Sequence, residues 1–165
     1  MKEYKVKSED TKHFSLSIND QEIARLIYEK WFSLKAEMIL EGAITYQIEP
    51  KGFWGTTIEL KQNEKLILNF KMNWSGNIII NSHFDEIERD FILKHKGIFK
   101  DTYILLSKEE EELLVIKPDF KWNKFNYDYN ITTTDHFDTL SFNTILLLTT
   151  IHCVNYYMTM MSSGM

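Results

Sequence analysis

From Leu140 to Met161 the chain carries no charged residue, and none follows. Fourteen of these twenty-two residues are apolar, among them Leu146, Leu147, Leu148, Ile151, Val154, Tyr156 and Met158. Wound at about 100° per residue, apolar side chains appear on nearly every bearing. Leu140, Ile151 and Met158 lie near one azimuth, with Phe142, Cys153 and Met160 nearly opposite. A surface helix keeps a wide polar face, whereas a helix that is apolar all round is enclosed by protein or by lipid. The approach is polar, through Thr132, Thr133, Thr134 and Asp135. Asp135 suits an N-cap, and Asp138 falls in the first turn, where the helix dipole favours negative charge. Gly164 suits a stop. The pattern predicts one continuous helix over residues 135–163.

A narrow stripe interrupts the apolar surface: Ser141, Thr144, Leu148, His152, Asn155 and Thr159. Five of the six are polar and none is formally charged. The plainer reading has Ser and Thr bonding back to their own helix while buried water serves His152 and Asn155. The alternative is a buried polar stripe lining a water track or small cavity.

Ahead of this helix, residues 12–134 follow period two, not 3.6. Phe14, Leu16 and Ile18 alternate with polar residues, and Asn19-Asp20 reads as a turn. Ile23 to Trp31, Leu34 to Leu40, Ile44 to Ile48 and Phe53 to Lys61 continue the pattern. Leu66, Leu68, Phe70, Met72 and Trp74 alternate most cleanly and predict a hairpin with Asn77 to Asn81. Ile87 to Lys94, Ile98 to Leu106, Leu113 to Lys117 and Phe125 to Ile131 follow. The acidic run Glu109 to Glu112 marks a hairpin tip. No helical pattern intervenes, so parallel βαβ units are excluded in favour of an antiparallel meander. About 10–12 strands closing into a barrel leave an interior too wide for their own side chains, and a helix fills it. The fold class expected is therefore mainly β, a closed antiparallel barrel around one hydrophobic C-terminal α-helix, with residues 1–165 as a single domain.

Composition narrows the function. With 165 residues one domain is expected. The net charge of −5 argues against nucleic acid as a partner. A single cysteine, Cys153, excludes an internal disulfide, and Met-Lys-Glu-Tyr-Lys has no apolar run of a signal peptide. These features predict a cytoplasmic setting. A transmembrane tail is disfavoured because eight polar residues interrupt residues 140–161 and no Lys or Arg flanks their far side. Peripheral membrane contact stays compatible.

His13, His83, His95, His136 and His152 are scattered, with neither His-x-x-x-His nor Cys-x-x-Cys spacing, so no metal is expected. His83, Asp85 and Glu88 read as a solvated loop. His152 and Cys153 are helix neighbours pointing about 100° apart, which is no nucleophile–base geometry. No nucleophile elbow, phosphate-binding loop or dinucleotide fingerprint occurs, so no catalytic residue, enzyme activity or cofactor is expected. Two basic–aromatic patches remain. One holds Lys94, Lys96 and Lys100 beside His95 and Phe99. The other holds Lys117, Lys121 and Lys124 beside Phe120, Trp122 and Phe125. The plain reading is outward lysine beside core aromatics. The functional one is a lipid or anion site.

The strand run from Phe91 to Leu106, then Leu113 to Ile116, then Thr134 into the apolar helix, resembles small bacterial members of the tubby C-terminal-like superfamily, which includes LURP-one-related proteins and phospholipid scramblases. The likeness spans about Phe14 to Met161 and rests on the order of elements. It implies a roughly twelve-stranded barrel wrapping a hydrophobic helix. Tubby proteins bind phosphoinositides through basic residues, and scramblases are taken to insert the terminal helix in membrane. A rival resemblance is the lipocalin barrel, through Gly52-Phe53-Trp54 as a Gly-x-Trp match. It implies a carrier of a small apolar ligand. The leading expectation is a non-enzymatic binding or scaffold domain for an anionic lipid headgroup or a protein partner.

Overall fold

The computed structural model describes residues 1–30, 34–52, 57–97, 101–123 and 125–163. Twelve strands run β1 (Lys2–Ser8), β2 (His13–Ile18), β3 (Gln21–Tyr28), β4 (Ala36–Leu40), β5 (Ile44–Lys51), β6 (Thr57–Gln62), β7 (Lys65–Met72), β8 (Ile78–Ser82), β9 (Arg89–Lys96), β10 (Thr102–Ser107), β11 (Glu112–Lys121) and β12 (Asn126–Thr133). Two helices follow, α1 (Asp135–Thr139) and α2 (Asn143–Ser163). Each strand pairs antiparallel with its sequence neighbours, and β1 pairs with β12 through Tyr4–Ile131 to close the barrel.

Alternation along each strand turns one apolar row inward. Val6, Leu16, Leu26, Met38, Ile48, Leu60, Leu68, Ile80, Leu93, Leu105, Ile116 and Ile131, one from each strand, are all buried. Burial of each such side chain is worth about 1.5–3 kcal/mol. Two-residue turns with positive φ at both positions, Asn19-Asp20 and Asn63-Glu64, join β2 to β3 and β6 to β7. That backbone hand matches the twist of a hairpin, and Asn at the first position tolerates it.

The interior belongs to α2. Every residue from Leu146 to Val154 is 0–1% exposed. Nine consecutive residues cover all bearings of a helix, so protein surrounds this segment on every side. Its side chains meet opposite walls: His152 packs on Tyr28 of β3, Tyr156 on Phe70 of β7, and Tyr157 on Tyr103 of β10. The expected fold class is thus observed. Thr149 and Thr150 bond back to Ile145 O and Leu146 O at 2.8 and 2.7 Å, which removes their need for outside partners.

Four expectations need correction. The helix is not continuous: it breaks at Leu140–Phe142, where Leu140 is extended (φ −68°, ψ 128°). The break lets Phe142 stack on Phe84 at 4.1 Å, with the Arg89 guanidinium 5.1 Å from its ring. The N-cap is Thr134, not Asp135, because the Thr134 hydroxyl accepts from Phe137 N at 3.3 Å. The strands begin at Lys2, not near residue 12; Lys-Glu-Tyr-Lys-Val-Lys-Ser holds only two apolar residues, Tyr4 and Val6, yet both are buried. Finally, β11 passes through Pro118 to Lys121. Its β10 partners end at Ile116, so Pro118 is paired only with Tyr129 of β12, where a missing N–H is tolerated. Lys100, Lys124, Gly164 and the Phe53-Trp54 pair lie outside the described residues.

Candidate binding end of the barrel

Antiparallel order sends all odd-numbered strands to finish at one end. Each finishes on or beside a lysine: Lys7 in β1, Lys30 just after β3, Lys51 in β5, Lys71 in β7, Lys96 in β9 and Lys121 in β11. The even-numbered strands run instead into an acid: Asp20, Glu41, Glu64, Asp85, Glu109 and Asp135. The molecule therefore has a lysine end and an acidic end. Lys7, Lys30, Lys51, Lys71 and Lys96 are exposed. Lys121 is paired with Asp119 at 2.6 Å. Among the acids of this end, Asp10 is paired with His13 at 2.8 Å, Asp101 with His95 at 2.9 Å and Glu9 with Arg25 at 3.5 Å, while Glu29 stands exposed beside Lys30.

The same end carries the exposed aromatic rings among the described residues. Trp74, in the β7–β8 connection, is 107% exposed, and Trp122 and Phe125, at the tip of the β11–β12 hairpin, are 78% and 77%. A fully exposed indole gains nothing from the fold that bears it. In sequence the other two tryptophans, Trp31 and Trp54, fall between β3 and β4 and between β5 and β6, outside the described residues.

Within this mouth, beside the second half of α2, lies a cavity of about 240 Å³ lined by Thr11, Phe14, Tyr28, Leu34, Phe125, Asn126, Tyr127, Tyr129, His152, Asn155, Tyr156, Met158 and Thr159. Its described lining bears no formally charged side chain. A hydrogen-bond chain runs behind it. Tyr129 donates to Asn155 Oδ1, and Asn155 Nδ2 donates to Tyr28 Oη at 2.9 Å. The Tyr28 hydroxyl then donates to His152 Nδ1 at 2.8 Å. The amide nitrogen only donates, so His152 Nδ1 is the one partner of the Tyr28 hydroxyl that can accept its proton, and the bond is assigned in that direction. His152 is then the Nε2–H tautomer, and that nitrogen has no partner among the described residues. Burial pushes the His152 pKa down to about 3, so the imidazole is neutral. Burial pushes the Tyr28, Tyr129 and Cys153 groups up, so none of them ionises near neutrality.

The lysines singled out in the sequence lie on the outer wall. Thr102 pairs with Lys96, and Tyr103 with both His95 and Ile116. Lys96 and Lys117 therefore occupy about the same cross-strand row on either side of β10, roughly 10 Å apart. Asn130 extends the row to Lys5, since it pairs with both Lys117 and Lys5. Lys94 sits one row further from the lysine end, opposite Ile104, whereas Lys121, paired with Asp119, lies on the other side of the row, at the lysine end itself. The two patches thus share one face of the barrel.

The polar stripe does not form one buried track. Ser141 precedes α2, is exposed, and bonds Asp85 at 3.1 Å. Thr144 is half-buried and bonds Asn143. Thr159 is exposed and bonds back to Asn155 O at 2.8 Å. Only His152 and Asn155 reach the interior, where wall tyrosines serve them. Sequence reasoning missed those partners; tyrosine at an inward strand position facing a helical polar residue is the signal that carries them.

Among the described residues no three His, Cys, Asp or Glu side chains come together as a metal site, and no helix is long and apolar enough to cross a membrane. The architecture defines a class: a closed antiparallel barrel plugged by its own helix, a fold suited to a binding or carrier domain. Comparison of this chain with protein-family models, with curated proteins and with solved structures finds no match.

Proposed function

We propose that this protein is a non-enzymatic binding domain that sets its lysine end against an anionic lipid surface. One observation carries the reading: exposed Lys7, Lys30, Lys51, Lys71 and Lys96 encircle the end that also presents Trp74, Trp122 and Phe125. Tryptophan partitions to the headgroup level of a bilayer, and each lysine near an anionic surface adds about 1 kcal/mol. The acidic end faces away, so repulsion orients the molecule. The tubby-like resemblance points the same way, toward phospholipid headgroups met by basic residues. Lys94, Lys96 and Lys117 on the adjoining wall extend the cationic surface.

Sedimentation with vesicles tests this. Binding should be strong to phosphatidylcholine vesicles containing phosphatidylserine, weak to phosphatidylcholine alone, and lost in the Trp74→Ala/Trp122→Ala double variant. Equal binding to both vesicle types, or to neither, overturns the lipid reading and leaves this end to a protein partner.

A further inference from the structure

The mouth cavity is a separate feature from the charged rim. We propose that it is a binding site for a small neutral molecule, about one ring in size, that carries a carbonyl-type acceptor. A cavity near 150 Å³ takes benzene; this one, at about 240 Å³, leaves room for a ring and a polar substituent. Phe14, Tyr28, Tyr129, Tyr156 and Met158 give it aromatic and polarisable walls. A charged guest would lose its hydration and meet no counter-ion in the described lining, which selects neutral molecules.

The direction of the hydrogen bonds selects an acceptor. The amide oxygens of the lining and the Tyr28 hydroxyl already accept a bond: Asn155 Oδ1 from Tyr129, Tyr28 Oη from Asn155, and Asn126 Oδ1 from Tyr127 N at 2.9 Å. Two nitrogen donors keep capacity. His152 Nε2–H, buried at the wall of the site, has no partner among the described residues. Asn155 Nδ2 keeps a second hydrogen after bonding Tyr28. A guest that only accepts satisfies such donors, and a buried donor left unmade is costly. The helix plug also explains why the site is at the mouth: α2 fills the interior that a lipocalin-like carrier would use.

Three probes of matched size test the site on the full chain without lipid, so this proposal and the vesicle reading fail separately. Acetophenone, benzoate and toluene are titrated at pH 7 against amide signals of Asn155, Tyr156 and Met158. Acetophenone should saturate, at least ten-fold tighter than benzoate and several-fold tighter than toluene. Thr159→Phe, which fills the rim from an exposed position, should keep the wild-type melting temperature and weaken acetophenone ten-fold or more. No saturable shift with any probe, benzoate or toluene equal to acetophenone, or a Thr159→Phe variant that binds as wild type, overturns the proposal.

Discussion

His152 is stacked on Tyr28 at 5.4 Å and edged by Phe70 at 5.6 Å, toward the end of a wholly buried stretch of helix from Leu146 to Val154. A proton on that ring would have to be held without hydration, which is why its pKa falls to about 3. The unfolded chain, with an ordinary histidine pKa of about 6.5, takes up the proton the folded state refuses. Stability is therefore whole above pH 6.5 and declines as pH falls toward 3, by roughly 1.4 kcal/mol per unit. Urea unfolding at pH 7 and 4.5 should show a loss on the order of 2–3 kcal/mol from this residue. His152→Gln should be less stable at pH 7 but shallower in its pH dependence; parallel slopes for the two proteins would count against the account. Little of this was legible in one dimension. A histidine in an apolar helix announces burial, but Tyr28 stands 124 residues away, and only the closed sheet brings them together.

The two helical pieces and the strand that seals the barrel carry the stability of the fold as elements. Leu147 is 1% exposed and Glu110 lies at the exposed tip of the β10–β11 turn. Leu147→Asp should cost at least several kcal/mol, because a buried unpaired carboxylate has neither water nor partner. Glu110→Lys should stay within about 0.5 kcal/mol. Deleting the chain from Asn143 onward removes the side chains that pack the inner wall, and the product should lose the dispersed NMR spectrum of a packed protein. A dispersed spectrum from that deletion would show that the wall packs without its plug. The twelve-stranded plan was readable because apolar residues such as Leu66, Leu68, Phe70 and Met72, or Tyr127, Tyr129 and Ile131, alternate so cleanly with polar ones; Trp74 and Phe125 continue the same rhythm in sequence but stand exposed beyond the strand ends. β1 was not, since lysine and glutamate fill its outward positions and only two of its inward residues, Tyr4 and Val6, are apolar, the third being Ser8. The bend at Leu140–Phe142 escaped for another reason: an apolar run has the same periodicity whether or not Phe142 leaves it to stack on Phe84.

Across the whole molecule the charges sort by strand direction, lysine where odd strands finish and acid where even strands do. Neither group is a cluster in sequence, so the sorting is invisible until the strands are given directions. It predicts an asymmetric response to charge reversal. Lys51→Glu/Lys71→Glu should weaken sedimentation with anionic vesicles and flatten its salt dependence, while Glu41→Lys/Glu64→Lys at the far end should not weaken it. Equal loss from both pairs would mean that net charge alone matters. The plug has a further consequence, for biosynthesis. α2 follows every strand in the chain, so a ribosome delivers all twelve before the segment they close around. The nascent sheet must wait, part-open and with its inner rows wet, until translation supplies the helix. Chaperone engagement during synthesis should accordingly be longest in that interval and end soon after α2 clears the exit tunnel.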